Sequence, residues 1–347
     1  MSFGLSWKNW IGWALEGAAS PYVTIGGGGA AAPLHFLPIN GAESIKSNAN
    51  MLFSPTVEGV SRAPMKHAFG AITVGGTIPS CLVPGMFGAS AAGKLYDWAC
   101  RRYDITTAEP VPVLEEDQLV SATVWIKLAT SNVVKKVIGA KVAKFTIESP
   151  EGGAYAGFSM DIIGRSLENL TTDPAITAAQ VLTDLYGAET LPVPEYRTLD
   201  AKIRIGAVNA AAWASTWTGY DPDNMSWTVA VDNKLVEDGH RQDGTGLITR
   251  LYSTGREVTG SLGRDLRNYA EYHKFLAGTE LSLALLLARG TSDLLVSLPR
   301  IVYEEGDPTS EGTREAYNKQ ALTFRALGSY NASPWGLGSE IEIAETV

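Results

Sequence analysis

From Leu119 to Leu128 the apolar residues Val120, Ala122, Val124 and Ile126 alternate with Ser121, Thr123, Trp125 and Lys127. That period of two predicts a half-buried β-strand. The same reading predicts strands over 68–78, 141–149 and 155–163, the last two joined by Pro150-Glu-Gly-Gly153, a strong hairpin signal. Within 91–103 the period changes: Leu95, Trp98, Ala99 and Arg102 fall at helical spacing and predict a short amphipathic helix packed on a sheet. Pro110, Pro112 and the acids Glu115, Glu116 and Asp117 read as a hinge. Positions 40–64 read as a loop. The first thirty residues, with Gly26 to Gly29 followed by three alanines and Pro33, read as a flexible arm. Glycine runs can cradle phosphate, but no strand precedes this one and no lysine-bearing helix follows, so the P-loop and dinucleotide readings fail on context.

The pattern changes character from Ser166 to Tyr196, where a short helix is expected around 175–186 and Pro192 and Pro194 stiffen an extended connector. The domain boundary falls there, giving units of residues 1–190 and 196–347. In the second unit, strands are predicted at 201–208 and 225–231, with two more within 247–262 turned at Ser253-Thr254-Gly255. A short helix over 267–276 places Tyr269, Tyr272, His273 and Leu276 on one face. Strands at 280–288, 293–303 and 318–327 follow, and the Gly-, Ser- and Glu-rich end reads as a second arm.

The two units repeat each other. Ala71-Ile-Thr-Val-Gly-Gly-Thr-Ile78 lines up with Gly255-Arg-Glu-Val-Thr-Gly-Ser-Leu262, matching Val74 to Val258, Gly76 to Gly260 and Thr77 to Ser261. Each is followed by a short aromatic-bearing helix and an alternating strand. Two copies of one fold in a chain favour a quasi-symmetric assembly, because a ring of n chains then presents about 2n similar units.

Composition narrows the function classes. A chain of 347 residues, 45% hydrophobic, can give each unit its own core, and 36 glycines suit a β-rich protein with many turns. The net charge of −9 argues against a protein whose task is to grip DNA, since duplex affinity comes mainly from Lys and Arg. Cys81 and Cys100 lie outside any C-x-x-C pattern and read as reduced, partly buried thiols of a protein made in a reducing cytoplasm. The opening MSFGLSWKNWIGWALEG lacks the basic start and continuous apolar run of a signal peptide, and no stretch reaches the roughly 18 apolar residues of a membrane helix. A soluble protein with no membrane partner is expected.

Candidate chemistry is sparse. His35, His67, His240 and His273 never fall in an H-x-x-x-H or H-x-E arrangement, and there is no G-x-S-x-G elbow. The paired carboxylates Glu115-Glu116 and Glu304-Glu305 could serve a glycosidase in principle, but they sit beside proline or glycine, where solvated charge is the default. No catalytic, cofactor-binding or metal-binding residues are assigned, and no cofactor is expected. Nine tryptophans admit a different class, a carbohydrate-binding β-sandwich module with Trp10, Trp13, Trp213, Trp217 or Trp335 as stacking platforms.

The run from Asn224 to Leu327 resembles the tail tube (major tail) proteins of siphophages, particularly those with two tube domains per chain. The likeness rests on Ser226-Trp-Thr-Val-Ala-Val-Asp-Asn233, Gly255 to Leu262, Phe275-Leu-Ala-Gly-Thr279, Leu294-Leu-Val-Ser-Leu-Pro-Arg300 and Gln320-Ala-Leu-Thr-Phe-Arg-Ala326. Trp13-Ala-Leu-Glu-Gly17 is similar to the amino-terminal arm of such proteins. Gly139 to Ile147 and Met160-Asp-Ile-Ile-Gly164 fit the same family. The resemblance implies a mainly β fold of two tandem tube-like β-sandwich or barrel domains, each with a short flanking helix, and no enzymatic activity. It implies trimeric rings of pseudo-sixfold symmetry stacked into a tube, whose subunits join sheets into one inner barrel. Tape measure protein and DNA would occupy the lumen without specific binding. Tail terminator and distal tail proteins would close the ends, and loops at 234–246 and 39–62, with both arms, would bridge rings.

Overall fold

The computed structural model describes residues 10–16, 34–37, 43–53, 67–87, 95–103, 110–112, 119–127, 134–153, 155–170, 184, 195–208, 220–238, 247–248, 250–267, 269–289, 292–306, 308–309, 319–328 and 340–346. The first half contributes β1 (Trp10–Leu15), β2 (His35–Leu37), β3 (Lys46–Phe53), β4 (His67–Cys81), α1 (Leu95–Cys100), β5 (Arg101–Tyr103), β6 (Pro110–Pro112), β7 (Ala122–Lys127), β8 (Val134–Ser149), β9 (Gly157–Gly164) and β10 (Ser166–Leu170). A 3-10 turn at Thr198–Asp200 leads into β11 (Ala201–Ala207), β12 (Asn224–Asp232), β13 (Leu235–Asp238), β14 (Arg250–Ser253) and β15 (Glu257–Asp265). Then come α2 (Ala270–Leu276), β16 (Leu281–Arg289), β17 (Ser292–Glu305), β18 (Pro308–Thr309), β19 (Lys319–Ala326) and β20 (Glu342–Thr346). The fold is mainly β and its sheets are antiparallel, as the sequence periods require.

One pairing order occurs twice. In the first half it runs β1-β7-β8-β9-β4-β3, and in the second β11-β16-β17-β19-β15-β12. β10 lies on β8 as β20 lies on β17. The matched sequence runs occupy equivalent places: Val74 and Val258 are buried, as are Ile78 and Leu262. Gly76 opposes Ile162 as Gly260 opposes Phe324. Beside the glycines, the Thr77 N–H donates to the Ser44 hydroxyl, while the hydroxyls of Thr228 and Ser261 bond each other.

β8 explains how each half folds on itself. Its first part pairs with β7 and β10, its second with β9 and β12. At the changeover every residue from Val137 to Val142 is buried. Gly139 there takes a φ of 68°, open to glycine at no steric cost, so the strand can turn from one layer to the other. Apolar side chains of both halves merge in one core, in which Trp13 stacks on Trp98 at 5.0 Å and both are buried.

Several sequence expectations are corrected. β7 is buried from Ala122 through Ile126, not on alternate residues, because its second face is covered as well. There the Glu16 carboxylate accepts from the Ser121 and Thr123 hydroxyls and the Gly139 N–H. The segment expected as a flexible amino-terminal arm contains β1, whose Trp10 to Ala14 are buried against β7 and β2. Within the expected loop at 40–64 lies β3; its polar start suits a strand at the sheet edge, where alternation is weak. The carboxy-terminal arm contains β20, with Ile341, Ile343 and Glu345 buried. The first helix is shorter than expected, giving way to β5 at Arg101. On α2 the buried residue is Glu271, which accepts from the Tyr303 hydroxyl at 2.9 Å and pairs with Lys274; Tyr269, His273 and Leu276 face outward. Of the helix expected at 175–186 only Asp184 is described, and Glu115 to Asp117 and Gly26 to Gly29 lie outside the described residues.

Candidate assembly interface

The two halves meet along a strand seam. β12 pairs with β15 on one side and with the second part of β8 on the other, from Trp227 opposite Ser149 to Asp232 opposite Lys144. Alternation decides the faces: Trp227, Val229 and Val231 with Phe145 and Ile147 point into the core. The opposite face carries Thr228, Ala230, Asp232, Lys144, Thr146 and Glu148.

Polar groups fasten the seam at its ends. Asn233, fully buried, donates through Nδ2 to the carbonyls of Ala99 at 2.9 Å and Val142 at 3.0 Å, and its backbone N–H reaches the Ala143 carbonyl. Arg256 donates to the Cys100 carbonyl at 3.1 Å and pairs with Glu340. The Lys141 ammonium donates to the Leu251 carbonyl at 2.7 Å; burial pulls its pKa down to about 8, partly offset by the charge of Glu16. Ile248 and Leu251 pack with Ile163 of the first half. Farther along, Glu345 accepts from the Gly85 N–H at 2.7 Å, the Phe87 N–H at 2.8 Å and the Tyr196 hydroxyl at 3.2 Å. Burial, with the charge of Glu345, raises the Tyr196 phenol well above its usual range. Replacing Asn233 with alanine leaves two buried carbonyls without these donors, an expected loss of about 2 kcal/mol in urea unfolding. A change below about 0.5 kcal/mol would show that water replaces the amide.

The same strand roles leave edges open. β3 is the counterpart of β12, since Ile45 sits beside Gly76 as Val229 opposes Gly260. Yet among the described residues β3 pairs with β4 alone. β17 beyond Ile301, continued by β18, is the counterpart of the second part of β8, and among the described residues it pairs there with β19 alone. An antiparallel edge of this kind is a template for another strand.

Charges on the open face alternate across the strands. Asp161, Lys144 and Asp232 are register neighbours on β9, β8 and β12. Lys234 lies 2.9 Å from Asp232 and 2.7 Å from Glu257, and Arg325 lies 2.9 Å from Glu257 and 2.6 Å from Glu304. Burial pulls the Asp232 carboxyl up, but hydrogen bonds from Lys234 and the charge of Lys144 prevail and hold it below the usual range. Hydrogen bonding to Lys234 likewise lowers Glu257. The next row, Ser159, Thr146, Ala230 and Thr259, is small and uncharged.

Among the described residues, those considered for chemistry do not converge. His35 bonds Asp184 at 3.0 Å, His67 lies in β4, His273 on α2, and His240 is outside the described residues. Among the described residues no group of three His, Cys, Asp or Glu side chains could hold a metal. Cys81 and Cys100 are buried and share no disulfide, and burial pushes the Cys81 thiol up to about 12, with Glu195 adding to it, which makes it a poor nucleophile. Trp10 and Trp13 are core residues, which removes them as sugar-stacking platforms; Trp213, Trp217 and Trp335 are outside the described residues. Glu304 lies in β17 paired with Arg325, and Glu115-Glu116 are not described. Asn233 and Glu345, which fasten the halves, carried no sequence signal beyond their place in a turn and a polar tail.

A family model described as phage tail tube protein matches residues 27–326. No curated protein matches the chain. No helix among the described residues is long and apolar enough to cross a membrane.

Proposed function

The chain belongs to the phage tail tube protein family, a structural component of the virion tail, and we propose that it is the repeating subunit of a long, non-contractile siphophage tail. In this reading residues 1–190 and 196–347 are tandem tube domains, three chains close a ring of pseudo-sixfold symmetry, and stacked rings form the conduit for DNA ejection. The subunit is made in the host cytoplasm, does no catalysis, and meets tape measure protein and DNA in the lumen without specific binding. Tail terminator and distal tail proteins meet the tube at its ends.

The observation that carries the reading is the seam: β12 joins the halves, while among the described residues its counterpart β3 has an open edge and the counterpart of its acceptor is open at the far side. Carrying the seam register over to those edges pairs Asn48 of one chain with Glu305 of the next, as Asp232 pairs with Lys144. The alternating charges on the open face support a lumen without lasting grip on DNA. Lys234 and Arg325 each lie between two carboxylates, so a phosphate must displace an existing partner.

The test is a subunit carrying both Asn48→Cys and Glu305→Cys, the native thiols being buried. Mild oxidation of assembled material is expected to give covalent species ending at three chains on a denaturing gel. A ladder that ends at six would replace the trimer with a hexamer, and an absence of cross-links would overturn this mode of closure.

A further inference from the structure

Immediately before β3, on the side of its open edge, the outward backbone groups of Ile45 are already occupied. Ser44 donates its N–H to the Thr77 carbonyl, so Ser44 faces β4 and Ile45, the next residue, turns its N–H and C=O away from it. On β12 the same parity holds: the Asn233 N–H, in phase with Val229 and Val231, reaches β8. Ile45 is thus the counterpart of a residue whose outward groups lie in the seam ladder. Its N–H, however, donates to Glu43 Oε2 at 2.6 Å, and its carbonyl accepts from Lys135 Nζ at 3.0 Å. Glu43 and Lys135 are joined at 2.6 Å, with the Glu43 side chain 5% exposed and that of Lys135 30% exposed.

We infer that the Glu43 carboxylate, held by Lys135, is an edge guard that imitates a neighbouring strand and must swing away before another copy of this chain can add to β3. The carboxylate stands in for the neighbour's carbonyl, which the seam register makes that of Pro308; proline has no N–H to offer the Ile45 carbonyl, so Lys135 serves to hold Glu43 in place, and this end of the edge is satisfied in the free subunit without offering a template. Charged side chains are a common means of blunting an edge. Here the block is reversible, since the Glu43 side chain regains water when it leaves. The guard lets a subunit with a built-in polymerising edge stay dispersed, and it sets a concentration threshold for growth. It rests on the tube reading and adds to it the step that restrains assembly.

The experiment measures the critical concentration for polymerisation by sedimentation, for the full chain and for Lys135→Met, Glu43→Ala and the double variant. Circular dichroism melts accompany each. Either single change is expected to lower the critical concentration by roughly tenfold, the scale of one or two charge-assisted hydrogen bonds lost from the free subunit. The double variant should match the singles, because the pair acts as a unit. Lys135→Arg, which keeps the charge and the reach, should stay within about twofold of the wild type. Variants that melt like the wild type and polymerise at an unchanged or higher concentration would overturn the guard while leaving the tube reading intact. A variant that melts early is judged by Lys135→Met in place of Glu43→Ala, or the reverse, under the same criterion. Failure of the wild type to polymerise at any concentration would overturn both.

Discussion

Glu345→Ala is expected to lower the unfolding free energy of the subunit by about 4 kcal/mol, measured by urea denaturation. The carboxylate is buried on β20 and receives two backbone N–H groups, from Gly85 and Phe87, together with the Tyr196 hydroxyl. Alanine removes the acceptor and leaves these donors in a space closed to bulk water, each costing about 1–3 kcal/mol. Gln at the same position keeps one acceptor oxygen and should recover roughly half of the loss. The consequence reaches further than one residue. The reading of the carboxy-terminal end as a ring-bridging arm expects that removing 329–347 weakens polymerisation and leaves the fold unchanged. The structure instead takes away β20, Ile341, Ile343 and the fastening of the second half to the segment after β4. That truncation should melt well below the full chain, and an unchanged melting curve would return this segment to the status of a dispensable arm.

Gly260→Ala should cost about 3 kcal/mol by the same measurement. A Cβ built there falls against the Thr228 carbonyl oxygen and the Phe324 ring. The first obstacle is backbone in the middle of β12, paired on both sides, so it has little freedom to shift. Gly76→Ala should behave alike, because its Cβ would lie 2.6 Å from the Ser44 carbonyl oxygen and 2.7 Å from Ile45 Cα. The neighbouring Ser261→Ala, which loses only a hydroxyl on the open face, should stay within about 1 kcal/mol. Equal losses at Gly260 and Ser261 would sink the steric account. The two glycines also differ in what they report: Gly260 stands beside the seam, whereas Gly76 stands behind the guarded edge. If β3 adds a strand in the tube, Gly76→Ala should reduce assembly even where the subunit remains folded.

The matching glycines connect these predictions to the sequence. Gly76 and Gly260 were legible as a repeat because a close backbone approach admits only one side chain, and that constraint leaves a mark in a short run of letters. The periods of β9, β12, β15 and β19 were legible for a similar reason: one face is covered and the other open, so apolar and polar residues alternate. β1 and β7 gave weaker marks, since burial on both faces erases alternation, and Trp125 stood on the polar side of the period though it is core. β3 and β20 gave almost none. An edge strand needs few apolar side chains, and its hydrogen bonds come from the backbone, which every residue shares.

By itself the sequence determined a mainly β chain with two similar halves, its turn positions and its resemblance to tail tube proteins. Those follow from local period, turn chemistry and the types of side chain present. The tertiary structure alone decided that β12 crosses to β8, that Glu345 and Asn233 fasten the halves, and that Glu43 and Lys135 cover the edge at Ile45. Lys135 and Ile45 are 90 residues apart, and Gly85 and Glu345 are 260 apart. Pairing over such distances is chosen by which backbone groups remain unsatisfied once each half has folded, and no local pattern of side chains records that.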